Sequence, residues 1–245
     1  MGKERVLIEV AVETVEDALA AAAGGADRLE LCSALDFGGL TPSLGTFQEI
    51  RSVCKLPILV MIRPRAGDFV YSDFELRVMV RDLEAFVPLQ PDGFVFGTLD
   101  EEGCIHEVAA ADLKRRAGLL PCVFHRAFDK TPKWVSALNV LVRLGFQRIL
   151  TSGRQDTALA GAHAITSLIV KAAGRIDVLP CGRIGPDSVA EVVRITGTKQ
   201  IHGSFAEPVP MREGRGYRGY QQRSRTNEAK VSATREELDR LNEEG

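Results

Sequence analysis

Short runs of β-branched and apolar residues alternate with segments of helical periodicity along nearly the whole chain, and they do so eight times. The strand segments are 6–10, 28–32, 58–63, 93–97, 119–125, 148–152, 177–182 and 200–204. Strands that each lead into a helix must return to the same sheet edge by crossover, which makes the sheet parallel. The helix boundaries carry their own chemistry. Thr14-x-x-Asp17 and Ser72-x-x-Glu75 read as capping boxes. Thr41-Pro42, Thr131-Pro132 and Gly185-Pro186 read as a capping residue followed by proline at the first helical position, and Gly24-Gly25, Gly145, Gly174 and Gly197 close helices ahead of strands. Gly25-Ala26-Asp27-Arg28-Leu29-Glu30 and Gly145-Phe146-Gln147-Arg148-Ile149-Leu150 echo one another, as reuse of one unit would require. Eight such units in about 200 residues predict an α/β chain of the (β/α)8, or TIM, barrel class. A doubly wound open sheet is the alternative, but no G-x-G-x-x-G follows the first strand, where the chain reads Glu9-Val10-Ala11-Val12-Glu13.

The barrel domain is expected over 1–205. Residues 206–245 then form a polar tail, extended and rich in Arg, Gly, Pro and Gln, with Thr234-x-x-Glu237 capping a short terminal helix that carries Leu238 and Leu241 on one face. A net charge of −2 argues against nucleic acid or a membrane surface as partner, and no apolar run approaches the roughly 18 residues of a spanning helix. The charged start, Met1 to Arg5, runs straight into Val6-Leu7-Ile8, so no secretory leader is expected; Val6 stands where myristoylation wants Ser or Thr. Five scattered cysteines without a C-x-x-C suit reduced thiols in the cytoplasm.

The mouth of such a barrel collects the carboxyl ends of all eight strands. Phe124-His125-Arg126-Ala127-Phe128-Asp129 puts three ionisable groups at the end of strand five. Period-two alternation points Glu9, Glu30, Arg63, His125 and His202 inward. A buried carboxylate needs a partner, and Arg63 on the next strand is the expected partner of Glu30, bridging to Glu9. An internal ion-pair belt holding the barrel together is the alternative. His125, Glu9, Glu30 and Asp129 are the candidate catalytic groups, with His125 as acid/base. Arg63 and Arg65, two residues apart in an extended segment around Pro64, read as a fork for a carboxylate or phosphate oriented by Asp68. Gly182, Arg183, His202 and Ser204 line the position after strands seven and eight where this fold cradles phosphate, and Arg126 adds positive potential. No G-x-S-x-G is present, which argues against a serine hydrolase. For a soft metal, Cys32 and Cys181 at strand ends with His202 form one candidate wall, and Cys104-x-His106 is a local second; Cys122 should point outward.

Gly24 to Cys32, Gly39-Leu40-Thr41-Pro42-Ser43, Met61-Ile62-Arg63-Pro64-Arg65, Gly67 to Ser72, Phe124 to Asp129 and Arg148 to Gly153, taken together and in order, resemble the CutC copper homeostasis proteins, the animal branch more closely. The resemblance runs from about Leu7 to Ser204 and implies a (β/α)8 barrel. It further implies a homo-oligomer (dimer or tetramer), a cytoplasmic location that can extend to the nucleus, and Cu(I) binding; Cys32, which ends strand two on the pocket-facing side, is the candidate metal ligand. No nucleotide cofactor is expected. The family pattern Pro-Gly-Gly-Gly-Ile is here Pro180-Cys181-Gly182-Arg183-Ile184, and the animal His-Cys-Ser is His202-Gly203-Ser204, so no cysteine ligand carries over at position 203. Three functions stay open: a cytosolic Cu(I)-binding protein, a barrel enzyme acting on a small anionic or phosphorylated substrate, and a non-catalytic oligomeric scaffold.

Overall fold

The computed structural model describes residues 5–209 and 223–243. The amino-terminal reading of residues 1–4 and the middle of the polar segment, 210–222, lie outside them. Eight parallel strands form one sheet: β1 (Leu7–Val12), β2 (Arg28–Leu31), β3 (Ile58–Met61), β4 (Gly93–Phe96), β5 (Cys122–Phe124), β6 (Arg148–Thr151), β7 (Asp177–Pro180) and β8 (Gln200–Gly203). Their order is β7-β6-β5-β4-β3-β2-β1-β8, so neighbours in sequence are neighbours in space except where β8 returns to β1. At the β7/β8 seam a single parallel bridge, Cys181 to His202, replaces a ladder. Side chains supplement it: Thr198 Oγ1 donates to the Val178 carbonyl at 3.5 Å and Gln200 Nε2 to Asp177 at 3.0 Å. The predicted (β/α)8 barrel is the fold observed.

Between the strands lie α1 (Val15–Ala23), α2 (Leu44–Val53), α3 (Asp73–Phe86), α4 (Glu107–Arg116), α5 (Trp134–Leu144), α6 (Ala162–Ala172) and α7 (Pro186–Thr196). Both capping boxes form: Thr14 and Ser72 accept the amides of Asp17 and Glu75, whose carboxylates return to the capping residues. Gly185-Pro186 opens α7 as expected. The other two proline readings shift. Ser43, two residues beyond Thr41, caps α2, and α5 opens at Trp134 after Lys133. Thr41 instead accepts the Arg63 amide on Oγ1 at 2.9 Å, and Thr131 closes a 3-10 turn. The outward strand faces and the helices share a core of Phe47, Phe86, Phe94, Phe96, Phe124 and Phe128, all essentially buried. A separate apolar layer fills the barrel: Cys32, Leu59, Met61, Val95, Val123, Leu150, Leu179 and Cys181.

The carboxyl-terminal segment differs from a solvated extension with a short helix. β9 (Ala206–Pro208) pairs antiparallel with β10 (Ser224–Thr226), and α8 (Glu228–Glu243) spans 16 residues. Asn227, not Thr234, starts that helix, accepting the Lys230 amide at 3.0 Å. Thr234 lies inside it and bonds back to the Lys230 carbonyl. Val231 and Leu238 are fully buried, and Arg235 reaches Asp27 and the Val6 carbonyl. Close approach is what admits the helix: a Cβ on Gly24 would fall 2.6 Å from Val231 Cβ. A 16-residue helix is marginal alone, so its stability comes from this docking. Among the described residues no helix is long and apolar enough to cross a membrane.

Leu238→Ala should therefore cost about 2–5 kcal/mol, and Gly24→Ala about 1–3 kcal/mol by forcing the helix outward. Urea unfolding of the full chain measures both; a change within error for both variants would show that α8 adds nothing to barrel stability.

Candidate functional site

Inward parity and strand stagger together build the floor of the mouth. Glu9 on β1 is level with Arg28 on β2 on one side and with His202 on β8 on the other. Arg28 Nε donates to Glu9 Oε2 in a close ion pair, and His202 Nδ1 meets Glu9 Oε1 at 2.8 Å. His202 Nε2 lies 3.6 Å from Glu30 Oε2, and the Cys32 thiol donates to the same oxygen at 3.5 Å. Arg28 continues downward to Gln200 Oε1 at 3.0 Å. All four charged groups are nearly inaccessible to water. Arg28 opposes Glu9, and His202 lies between Glu9 and Glu30, so each buried acid has a basic partner, as buried charges require.

Each group's proton affinity follows from its neighbours. Burial alone would raise the Glu9 carboxyl, but Arg28 and His202 hold it down at about 2. Burial pushes Glu30 up, with His202 opposing and Glu9 reinforcing. For His202, burial works downward but is outweighed by Glu30 and Glu9, which raise it. Glu9, Glu30 and His202 also bring one donor atom each within 4.8 Å of one another, a group able to hold a cation.

The expected pairing of Arg63 with Glu30 does not occur. Arg63 sits one layer higher, where its guanidinium donates to the carbonyls of Phe37 (2.8 Å), Gly39 (3.1 Å) and Gly67 (2.8 Å). It thereby pins the β2–α2 loop, and among the described residues it has no carboxylate within ion-pair distance. Arg28 takes the predicted role because the stagger of β1 against β2 brings it level with Glu9. Its signal was present: Arg28 precedes Glu30 by two and shares its face. The Arg63–Arg65 fork is likewise absent. Arg65 turns away from the mouth, pairs with Glu75 (2.5 Å) and Asp68 (3.0 Å), and stacks over Tyr71.

Above the floor opens a cavity of about 630 Å³, lined by Glu30, Arg63, His125, Arg126, Asp129, Gly182, Arg183, His202 and Ser204 among others. Glu9 lies beneath it. His125 is 3% exposed, its ring 4.8 Å from that of Phe69. Its Nδ1 accepts the Ala127 amide at 3.2 Å, which leaves the ring proton on Nε2. Burial and then the Arg63 charge lower its pKa to about 3, so the ring is neutral at pH 7. A neutral ring protonated at Nε2 offers a hydrogen-bond donor there. Gly97 makes the seat, since a Cβ there would stand 2.6 Å from the ring. Asp129 is consumed by structure: it accepts from Thr151, from Ser152 N and Oγ (both 3.1 Å) and from Arg126 (3.3 Å), tying the ends of β5 and β6 together. Arg183 and Ser204 are exposed on the rim.

Cys32 and Cys181 face the barrel interior and Cys122 faces the helices, as parity required. Burial pushes all three thiols up, and nearby Glu30 adds to the effect at Cys32. In the Cys104–His106 alternative, His106 Nδ1 caps α4 by accepting the Ala109 amide.

Residues 6–207 match the CutC family model. The chain belongs to the CutC family. It is 44% identical over 198 residues to the human copper homeostasis protein cutC homolog, covering 81% of this chain and 72% of that protein. A CutC family protein of Mesorhizobium japonicum is 43% identical over 204 residues, covering 83% of this chain and 79% of the relative. The solved CutC structure from Streptococcus agalactiae superposes with a TM-score of 0.78 at 35% identity, covering 81% of this chain and 98% of that one. The phosphoribosylanthranilate isomerase of Thermotoga maritima, at 12% identity and a TM-score of 0.59 over 96% of this chain and 98% of that one, shares the barrel fold. The helix α8 of this CutC chain lies beyond the matched residues.

Stability of this CutC chain should fall in acid for two reasons. His125 (about 3 folded, 6.5 ordinarily) and Glu9 (about 2 folded, 4.5 ordinarily) both bind fewer protons folded than unfolded. Their contributions are complete above the ordinary values and are lost from pH 6.5 toward 3 and from 4.5 toward 2. Urea unfolding between pH 6.5 and 4.5 should show His125 contributing a slope of up to about 1.4 kcal/mol per pH unit for one proton, offset in part by Glu30, whose raised pKa acts with the opposite sign; His125→Phe should remove the His125 part, and an unchanged slope would mean the ring is not held neutral. Arg28→Met should cost about 3–5 kcal/mol at pH 7 by stranding Glu9, and a smaller loss would show that His202 alone balances it.

Proposed function

We propose that this chain serves copper homeostasis, the role carried in the names of its human and mouse relatives, and that Cu(I) is its cargo. One observation supports the binding reading above all. Cys32, Met61 and Cys181 belong to the apolar cluster that fills the barrel interior, and His202 is bridged to Cys181 through the backbone. Thiolate, thioether and imidazole are the donors that a soft monovalent copper ion selects. Cys32 carries the proposal because its thiol already donates to Glu30, a carboxylate placed to receive the proton that a metal displaces. Both inward thiols are protonated at neutral pH in the absence of metal, so binding releases protons and tightens as pH rises. All five cysteines are free, which supports a reducing, cytosolic setting.

A second reading, a barrel enzyme acting on a small anionic substrate, is favoured by a different observation. Arg63 is a buried cation without a carboxylate partner among the described residues, and it lines the same cavity as the neutral His125.

Titration with Cu(I) against a competing chelator tests the first reading. Cys32→Ser should weaken binding by about tenfold or more, the loss of a thiolate ligand, while Cys122→Ser leaves it unchanged, and affinity should climb between pH 6 and 8. Equal affinity in the two variants would remove Cys32 from any copper site.

A further inference from the structure

Among the described residues, seven buried side-chain nitrogen or oxygen atoms have no hydrogen-bond partner. Such atoms are costly, and each asks for an explanation. Four of them, on Tyr71, Trp134, Arg148 and Arg235, do not line the mouth. The other three do: Arg63 Nε, His125 Nε2 and Glu30 Oε1. Their chemistry is complementary. Arg63 Nε–H is a charged donor whose guanidinium is fixed by three carbonyls and also interacts with the Tyr71 hydroxyl. His125 Nε2–H is a neutral donor, its tautomer set by the Ala127 amide and its ring clamped between Gly97 and Phe69. Phe69 also stacks on Arg63, with the guanidinium carbon 5.0 Å from the ring centroid, so one aromatic ring spaces the two donors. Glu30 Oε1 is an acceptor, the partner oxygen being held by Cys32 and His202.

We propose that these three residues recognise a small α-hydroxycarboxylate, whose carboxylate takes the Arg63 and His125 donors and whose hydroxyl donates to Glu30. The inference rests on the second reading above, that the mouth takes a small anion. Arg63 supplies the positive charge for an anion, because its guanidinium is held by carbonyls and has no carboxylate partner among the described residues. A ligand without a hydroxyl would set its anionic group beside an unsatisfied Glu30 oxygen. The geometry also explains why His125 must be neutral, since an imidazolium beside Arg63 would be repelled.

Glycolate is the probe, with acetate lacking the hydroxyl, glycolamide lacking the charge, and inorganic phosphate as a general anion, all at matched ionic strength. Thermal midpoints and NMR-detected titrations of the full chain should give glycolate an affinity about tenfold or more above acetate and glycolamide, the size of one lost hydrogen bond to a charged group. His125→Phe should reduce glycolate affinity about tenfold, while Glu30→Gln should erase the advantage over acetate. Arg63→Lys keeps the charge if Arg63→Ala fails to fold, and should retain part of the binding. Nitrogen-15 spectra should show His125 protonated at Nε2 at pH 7. Glycolate binding no better than acetate, with phosphate still stabilising, overturns this inference and spares the anion reading. No response to any probe overturns both, and a proton on Nδ1 overturns the donor assignment.

Discussion

The ion pair between Glu9 and Arg28 is the constraint around which the barrel interior is arranged. Neither charge has access to water, so each is tolerable only opposite the other. The stagger of β1 against β2 sets them level, and their contact orients Glu9 so that its second oxygen faces His202 on β8. One carboxylate therefore couples three strands across the point where the first and last meet. Above it the interior can be apolar and sulfur-bearing, because the charge has been settled below.

The layer above obeys a different rule. Arg63 has no counter-ion to define it, and loop carbonyls define it instead: those of Phe37, Gly39 and Gly67 converge on its guanidinium. A buried cation held only by neutral dipoles keeps an unspent electrostatic appetite. It lowers the proton affinity of nearby His125 and gives the mouth its sign. The same residue is thus loop fastener and source of potential, so a substitution there changes both.

The architecture was legible in the sequence because the strand–helix alternation repeats eight times, with capping boxes and closing glycines marking several of the helix ends, and inward parity follows from a period of two. Cys122 outward, Cys32 inward and the shared mouth of Glu30, Arg63, His125 and His202 all come from that parity. What parity does not specify is height. Which inward residue of one strand lies level with which of the next depends on the stagger around the barrel, a property of all eight strands together. Glu9 accordingly finds Arg28, while Arg63 and Glu30 miss one another by a layer. Asp129 and Arg65 read as site residues from their neighbourhood in sequence, yet local hydrogen bonds claim them first. The full length and docking of the expected terminal helix were hidden for another reason: its few apolar residues look insufficient until Gly24 is seen to leave room for Val231.

The seam between β7 and β8 gives the barrel one soft joint. Seven boundaries are continuous ladders, whereas this one is a single bridge at Cys181 and His202 with two side-chain ties below it. Breathing motions of a closed sheet concentrate where backbone coupling is weakest. His202 belongs to that joint and also spans Glu9 and Glu30. A small parting of the two staves would therefore be felt as a change in the separation of charges on the floor, making the seam a mechanical lever on the chemistry of the mouth.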